Sequence, residues 1–216
     1  GQVPKKRRGI DLPFGESAFL VELGDRFEER LIWRARAIAD QWEADGLGQA
    51  VPAYASVLLR FDPERLSPAI AEARAKEAVD AAADGGDSGG GRLVEIPTRY
   101  DGADLADVAL RSAMSVDRLV ALHSGREYRA YFLGFMPGFA YLGRLDPRIQ
   151  APRLERPRER VPAGSVAVAD GQTAVYPFAS PGGWRLVGST DLGMFDAAAD
   201  EPARLRAGDR VRFVPR

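Results

Sequence analysis

The chain carries one histidine and no cysteine among its 216 residues, which leaves few kinds of chemistry open to it. A thiolate nucleophile, a disulfide framework and thiolate-held zinc are excluded, as is any site that needs two imidazoles. No acid-rich loop has the spacing of a calcium or magnesium cage, so no metal ligand set is expected in this chain. The single histidine, His123, opens the densest run of informative residues, HSGREYRAYFLGFMPGFAYLG at 123–143. After an Arg/Pro-rich connection comes VPAGSVAVADGQTAVYPFASPGGW at 161–184. Two clusters, Gly134 to Gly143 and Ser180 to Trp184, set aromatic rings beside glycine and proline, the residues that shape a loop closely around a ligand.

Two roles are open for His123. Imidazole titrates near neutrality and can serve as a general acid or base. In the last turn of a helix it equally serves as a C-terminal cap that interacts with the helix dipole. A Ser-His-Asp triad is disfavoured, because Ser124 is the sequence neighbour of His123 on a helix end and adjacent residues do not face each other there. Phe135, Phe139 and Tyr141 taken singly are ordinary core residues. Framed by glycine and proline, outside helical or strand periodicity, they read as pocket or interface. Arg153, Arg156, Arg158 and Arg160 make a basic rim able to grip a carboxylate or phosphate bidentately, or else a solvated loop or subunit contact that Glu155 and Glu159 neutralise. Arg160, beside Val161-Pro162-Ala163-Gly164, is the favoured inward-facing guanidinium.

The elements that must position these residues fall into two textures. Before DGGDSGGG, Ala18 to Leu23 and Ala55 to Phe61 read as strands and Arg26 to Trp42 as an amphipathic helix. Ser67 and Pro68 open an Ala-rich helix as N-cap and first helical residue. After it, Arg92 to Pro97 reads as a strand, followed by helices at Ala103 to Ser112 and Ser115 to His123. Short strands then dominate: Tyr128 to Phe135, a hairpin of Ser165 to Ala169 and Gln172 to Pro177 around Asp170-Gly171, Arg185 to Gly188, and Arg210 to Val214. The fold class is α+β. A small α/β unit at 1–84, a Gly-rich connector at 85–91 and a β-rich barrel or sandwich at 92–216 are expected, the alternative being a long loop inside one domain.

Composition narrows function further. With 45% hydrophobic residues and a net charge of -1, the chain is globular and has no global electrostatic reason to bind nucleic acid or an anionic membrane. No apolar run approaches the roughly 20 residues of a spanning helix, and GQVPKKRRGI lacks the apolar centre of a signal peptide, so a soluble cytoplasmic protein is expected. The run Lys5-Lys6-Arg7-Arg8 reads as a solvated tail without assigned function. There is no G-x-x-x-x-G-K-[ST], no G-x-G-x-x-G after a strand and no G-x-S-x-G, so no stand-alone nucleotide site is expected.

Three long segments carry a resemblance: YRAYFLGFMPGFAYLGRLDPRIQAPR, RVPAGSVAVADGQTAVYPFASPGGWRLVGST and the ending LRAGDRVRFVPR, joined by SAFLVELGD and VPAYASVLLRFDP earlier in the chain. They resemble the B subunits of bacterial 5-oxoprolinase. That family, of the carboxyltransferase subdomain C and D type, is also described as allophanate hydrolase subunit 1 and as inhibitors of a sporulation histidine kinase. One departure is Ala140, where the family usually has proline. The resemblance implies a ferredoxin-like α/β domain followed by a cyclophilin-like β-barrel. It also implies one member of a complex, inactive alone, that works with the A and C subunits to open the small molecule 5-oxoproline to glutamate with ATP hydrolysis. Opening a stable lactam needs that coupling, through phosphorylation of the amide oxygen, and ATP then belongs to the complex. The positions that match the family's motifs are His123 as catalytic residue and Tyr131, Phe135, Pro137, Gly138 and Tyr141 as substrate-binding. Arg160, Pro162, Gly164, Ser165, Gln172, Tyr176, Pro181, Gly182, Gly183 and Trp184 complete the substrate-binding set. A regulatory inhibitor of a sensor histidine kinase and an allophanate or urea carboxyltransferase-type subunit are the alternatives.

Overall fold

In a computed structural model, residues 9–13, 17–24, 28–82 and 91–216 are described. The basic run Lys5 to Arg8 and all of the Gly-rich connector except Gly91 lie outside them. Two compact units divide the chain, Gly1–Ser88 and Gly89–Arg216.

The first unit is a four-stranded antiparallel sheet with two helices. Its elements are β1 (Gly9–Pro13), β2 (Ala18–Glu22), α1 (Glu29–Ala44), β3 (Ala50–Pro52), β4 (Ser56–Arg60) and α2 (Pro68–Ala81), with strand order β1-β2-β4-β3. Alternation places Phe19 and Val21 of β2 and Val57 and Leu59 of β4 in one apolar core. The stripe Leu31, Ala35, Ile38, Ala39 and Trp42 of α1 packs there too. So do Ala71, Ala75 and Ala78 of α2, spaced to share one helix face. Ser67 caps α2 by accepting from the Ile70 N–H, and Pro68 occupies its first turn. A ferredoxin-like βαββαβ chain supplies its last strand after the second helix. Here the edge position beside β2 belongs to β1, which precedes it.

The second unit wraps a seven-stranded sheet around the larger core. It contains β5 (Leu93–Thr98), α3 (Leu105–Arg111), α4 (Val116–Ser124), β6 (Tyr128–Leu133), β7 (Ala140–Gly143) and β8 (Arg158–Val161). There follow β9 (Ser165–Ala169), β10 (Gln172–Val175), β11 (Ser180–Gly182), β12 (Arg185–Ser189) and β13 (Arg210–Pro215). The large sheet has the order β12-β9-β10-β7-β6-β13-β5, with β8 and β11 paired separately. Its two free edges meet where Arg99 and Ser189 exchange backbone hydrogen bonds of 2.8 and 2.7 Å, so the sheet is barrel-like and nearly closed. The Asp170-Gly171 turn has φ of 48° and 82°, the left-handed pair that matches strand twist in a two-residue hairpin.

The hairpin it joins is buried on both faces. Val166, Val168 and Val175 enter the larger core with Val108 of α3 and Leu119 of α4. Ala167, Ala169, Ala174 and Tyr176 enter a second apolar cluster with Phe139, Val161 and Trp184. This two-sided burial explains why β9 and β10 read as an almost unbroken apolar run. It also hides β7: Leu142 faces the larger core and Tyr141 the second cluster, so the expected loop at Gly134 to Gly143 contains a strand.

Candidate functional site

The second apolar cluster ends in a pocket. Phe135, Phe139, Tyr141, Arg153, Pro157, Tyr176, Pro181, Gly182, Gly183 and Trp184 line a cavity of about 230 Å³. Phe139, 1% exposed, is its hub. It meets Phe135, Tyr141, Tyr176 and Trp184 edge to face, with centroid separations of 5.4, 5.0, 5.4 and 5.7 Å. Edge-to-face contacts fix ring planes as well as positions, so the walls are set before a ligand arrives. Phe135 leaves the end of β6 with φ of 69° and is 62% exposed at the rim. An aromatic side chain in the left-handed region is costly and rarely placed there without a reason.

Glycine and proline make the opposite wall. A Cβ on Gly182 would lie 2.3 Å from the Tyr176 hydroxyl oxygen, so no other residue allows this approach. Three contacts hold the 152–158 segment against that wall. The Leu154 N–H donates to Gly183 O at 2.8 Å, Arg185 Nε donates to Pro152 O at 2.7 Å, and Arg158 Nη2 donates to Asp104 at 2.8 Å. The buried Arg185 also pairs with Asp107. Burial raises the Tyr141 and Tyr176 hydroxyls above their ordinary range, so both stay neutral phenols at physiological pH.

His123 lies elsewhere. It is 1% exposed in the larger core, with ring centroids of Phe213, Tyr128 and Tyr100 at 4.5, 5.5 and 5.7 Å. Thr173 Oγ1 donates to Ala167 O at 3.0 Å and so accepts from His123 Nε2 at 2.9 Å. Nδ1 is then the acceptor, and the Tyr100 hydroxyl donates to it at 2.7 Å. Both ring nitrogens are satisfied, and burial pushes the imidazole down to about 3, which holds it neutral. The ring therefore acts neither as a cap on the last helical carbonyls nor as a wall of the pocket; it bridges the loop after β5 to β10.

The pocket brings together Phe135, Tyr141, Tyr176, Pro181, Gly182, Gly183 and Trp184 from the positions read in the sequence. Tyr131 is buried on β6, its ring against Gly143, and Pro137 and Gly138 form the turn before β7, where Gly138 (φ 79°) packs on Phe195. Pro162, Gly164 and Ser165 form the turn into β9: Gly164 has φ of 79°, and Ser165 Oγ donates to Pro162 O at 2.8 Å. Gln172 is buried at the start of β10. Arg160 is exposed on β8 and outside the lining, so the rim arginine at the pocket is Arg153. Nothing local separates the two in the sequence, because the fold-back of 152–158 onto Gly183 is a long-range event.

Among the described residues, no helix is long and apolar enough to cross a membrane, and no group of three or more His, Cys, Asp or Glu side chains is gathered to hold a metal ion.

Comparison with known proteins places this architecture. The chain is similar to the 5-oxoprolinase B subunit of Escherichia coli O157:H7, 54% identical over 127 residues that make up 57% of this chain and 58% of that protein. It is also similar to the 5-oxoprolinase B subunit of Bacillus subtilis (strain 168), 35% identical over 93% of this chain and 90% of that protein. The match thus spans little more than half the length of the Escherichia coli relative and most of the Bacillus subtilis one. Among solved structures, TTHA0988 superposes with a TM-score of 0.80 at 40% identity, over 92% of this chain and 40% of that one. The Kluyveromyces lactis urea carboxylase superposes with a TM-score of 0.71 at 20% identity, over 93% of this chain and 21% of that one, a likeness of fold alone. A family profile described as carboxyltransferase domain, subdomain C and D, matches residues 12–205, and the chain belongs to that family.

Proposed function

We propose that this chain is one subunit of an ATP-dependent 5-oxoprolinase that opens 5-oxo-L-proline to L-glutamate together with the A and C subunits, in the cytoplasm. The observation that carries this reading is the 35% identity with a protein named as the B subunit of 5-oxoprolinase, over 93% of this chain and 90% of that one. The pocket supports a division of labour. Its lining includes neither a carboxylate nor a histidine, so its residues suit holding and orienting a ligand rather than moving protons. The described residues do not fit ATP: the chain has no G-x-x-x-x-G-K-[ST] loop, and the pocket offers one cation. Contacts to ATP are accordingly assigned to the assembled complex.

In this reading Phe135, Tyr141, Tyr176, Pro181, Gly182, Gly183 and Trp184 contact the substrate or the partner that delivers it. Tyr131, Pro137, Gly138, Pro162, Gly164, Ser165 and Gln172 shape the scaffold behind them. The first unit is a ferredoxin-like arrangement with its edge strand supplied from the N-terminal side, and the second is a cyclophilin-like barrel. The test is assembly-dependent turnover. Purified alone, the chain shows no hydrolysis of 5-oxoproline, and adding the A and C subunits with ATP restores it. Turnover by the single chain would overturn the proposal that it works only within a complex.

A further inference from the structure

Arg153 is the charged side chain of the pocket lining. Its Nε donates to Asp170 at 2.9 Å, and its guanidinium carbon lies 5.8 Å from the centroid of the Trp184 ring. The tether at Nε and the indole together restrict a group that would otherwise sample many rotamers. Among the described residues no acceptor bonds Nη1 or Nη2, the edge that meets a carboxylate with two parallel hydrogen bonds. The Arg153 side chain is 56% exposed, so a ligand can reach that edge.

The other walls define what must accompany the anion. Aromatic rings and the Cβ-free surface of Gly182 and Gly183 favour a flat apolar body and leave a polyanion mostly unpaired. We propose that Arg153 is the anion-recognising residue of this pocket, and that the pocket takes a small ring carrying a single carboxylate. The inference rests on the 5-oxoprolinase reading, which supplies the natural probe. Asp170, at the tip of the β9–β10 hairpin, holds Arg153 through Nε and leaves the forked edge for the ligand.

The experiment titrates the full chain with 5-oxo-L-proline and with 2-pyrrolidinone, the same lactam ring without its carboxylate. Binding is followed by calorimetry and by tryptophan fluorescence, with Trp184→Phe identifying the signal from the pocket. The wild-type chain binds 5-oxoproline roughly 10- to 100-fold more tightly than 2-pyrrolidinone. Arg153→Ala removes that preference and leaves 2-pyrrolidinone binding unchanged; Arg153→Lys, which keeps the charge and loses the fork, retains part of it. A preference that survives in Arg153→Ala would overturn the proposal. So would the absence of Arg153-dependent binding for both 5-oxoproline and pyrrole-2-carboxylate. If pyrrole-2-carboxylate binds through Arg153 and 5-oxoproline does not, the anion site stands and 5-oxoproline is not its ligand. The 5-oxoprolinase reading itself falls only if the chain with the A and C subunits and ATP shows no turnover.

Discussion

The two faces of β10 treat their polar groups in opposite ways. On one face, Thr173 meets His123, which is buried among aromatic rings and has both ring nitrogens engaged. On the other, Ala174 and Tyr176 back the pocket in which Arg153 holds one carboxylate through Nε and stays half-exposed. A saturated buried polar group fixes a fold, because losing any partner leaves a desolvated donor or acceptor. An unsaturated, half-exposed cation on a rigid aromatic floor is placed to meet something from outside. The residue with the more reactive side chain, the histidine, is thus the one enclosed in the core.

The strongest way to break this contrast is to remove the hub of the pocket. Phe139→Ala is expected to cost about 3–5 kcal/mol in denaturant unfolding and to abolish ligand binding as well, since the same ring packs the second cluster and shapes the cavity. A nearly unchanged unfolding midpoint would show that the cluster is surface rather than core.

The next test concerns His123 and acid. Its folded value of about 3 lies below its ordinary 6.5, so between those values the unfolded chain takes up the proton and the folded one does not. Its contribution to stability is complete above about pH 6.5 and is lost as the pH falls toward 3, by up to about 1.4 kcal/mol per pH unit. His123→Gln should flatten that part of the stability–pH curve and leave ligand binding at the pocket unchanged. An identical acid slope in both proteins would remove the histidine from the account.

The smallest effect is expected at the rim. Phe135→Gly relieves a left-handed φ and should leave stability unchanged or raise it by about 1 kcal/mol, while weakening ligand or partner binding. Unchanged binding to both would make Phe135 a bystander.

How much of this was legible depended on whether the deciding physics is local. The Asp170-Gly171 hairpin and the Ser67 and Ser115 caps follow from backbone chemistry within four residues, and they stand where the sequence puts them. Six of the seven site positions that meet at the pocket come from two Gly/Pro-framed clusters whose composition alone marks a shaped loop; the seventh, Tyr176, lies just past β10 in the hairpin. β7 was hidden because both of its faces are apolar, and β3 because it is three residues long and ends in proline. The role of His123 was set by Tyr100 and Thr173, 23 and 50 positions away. The choice of Arg153 over Arg160 was set by the backbone bond from Leu154 to Gly183. Neither is written in any window of sequence.

The central claim, that recognition lies on the Arg153 face and structure on the His123 face, is tested most directly by steady-state kinetics of the proposed complex with the A and C subunits. Arg153→Ala is predicted to raise KM for 5-oxoproline by about 10-fold or more with kcat nearly unchanged, and His123→Gln to leave both constants near wild type. A fall in kcat of roughly 10²-fold or more in His123→Gln, the contribution of a general acid or base, alongside wild-type kinetics in Arg153→Ala, would contradict it.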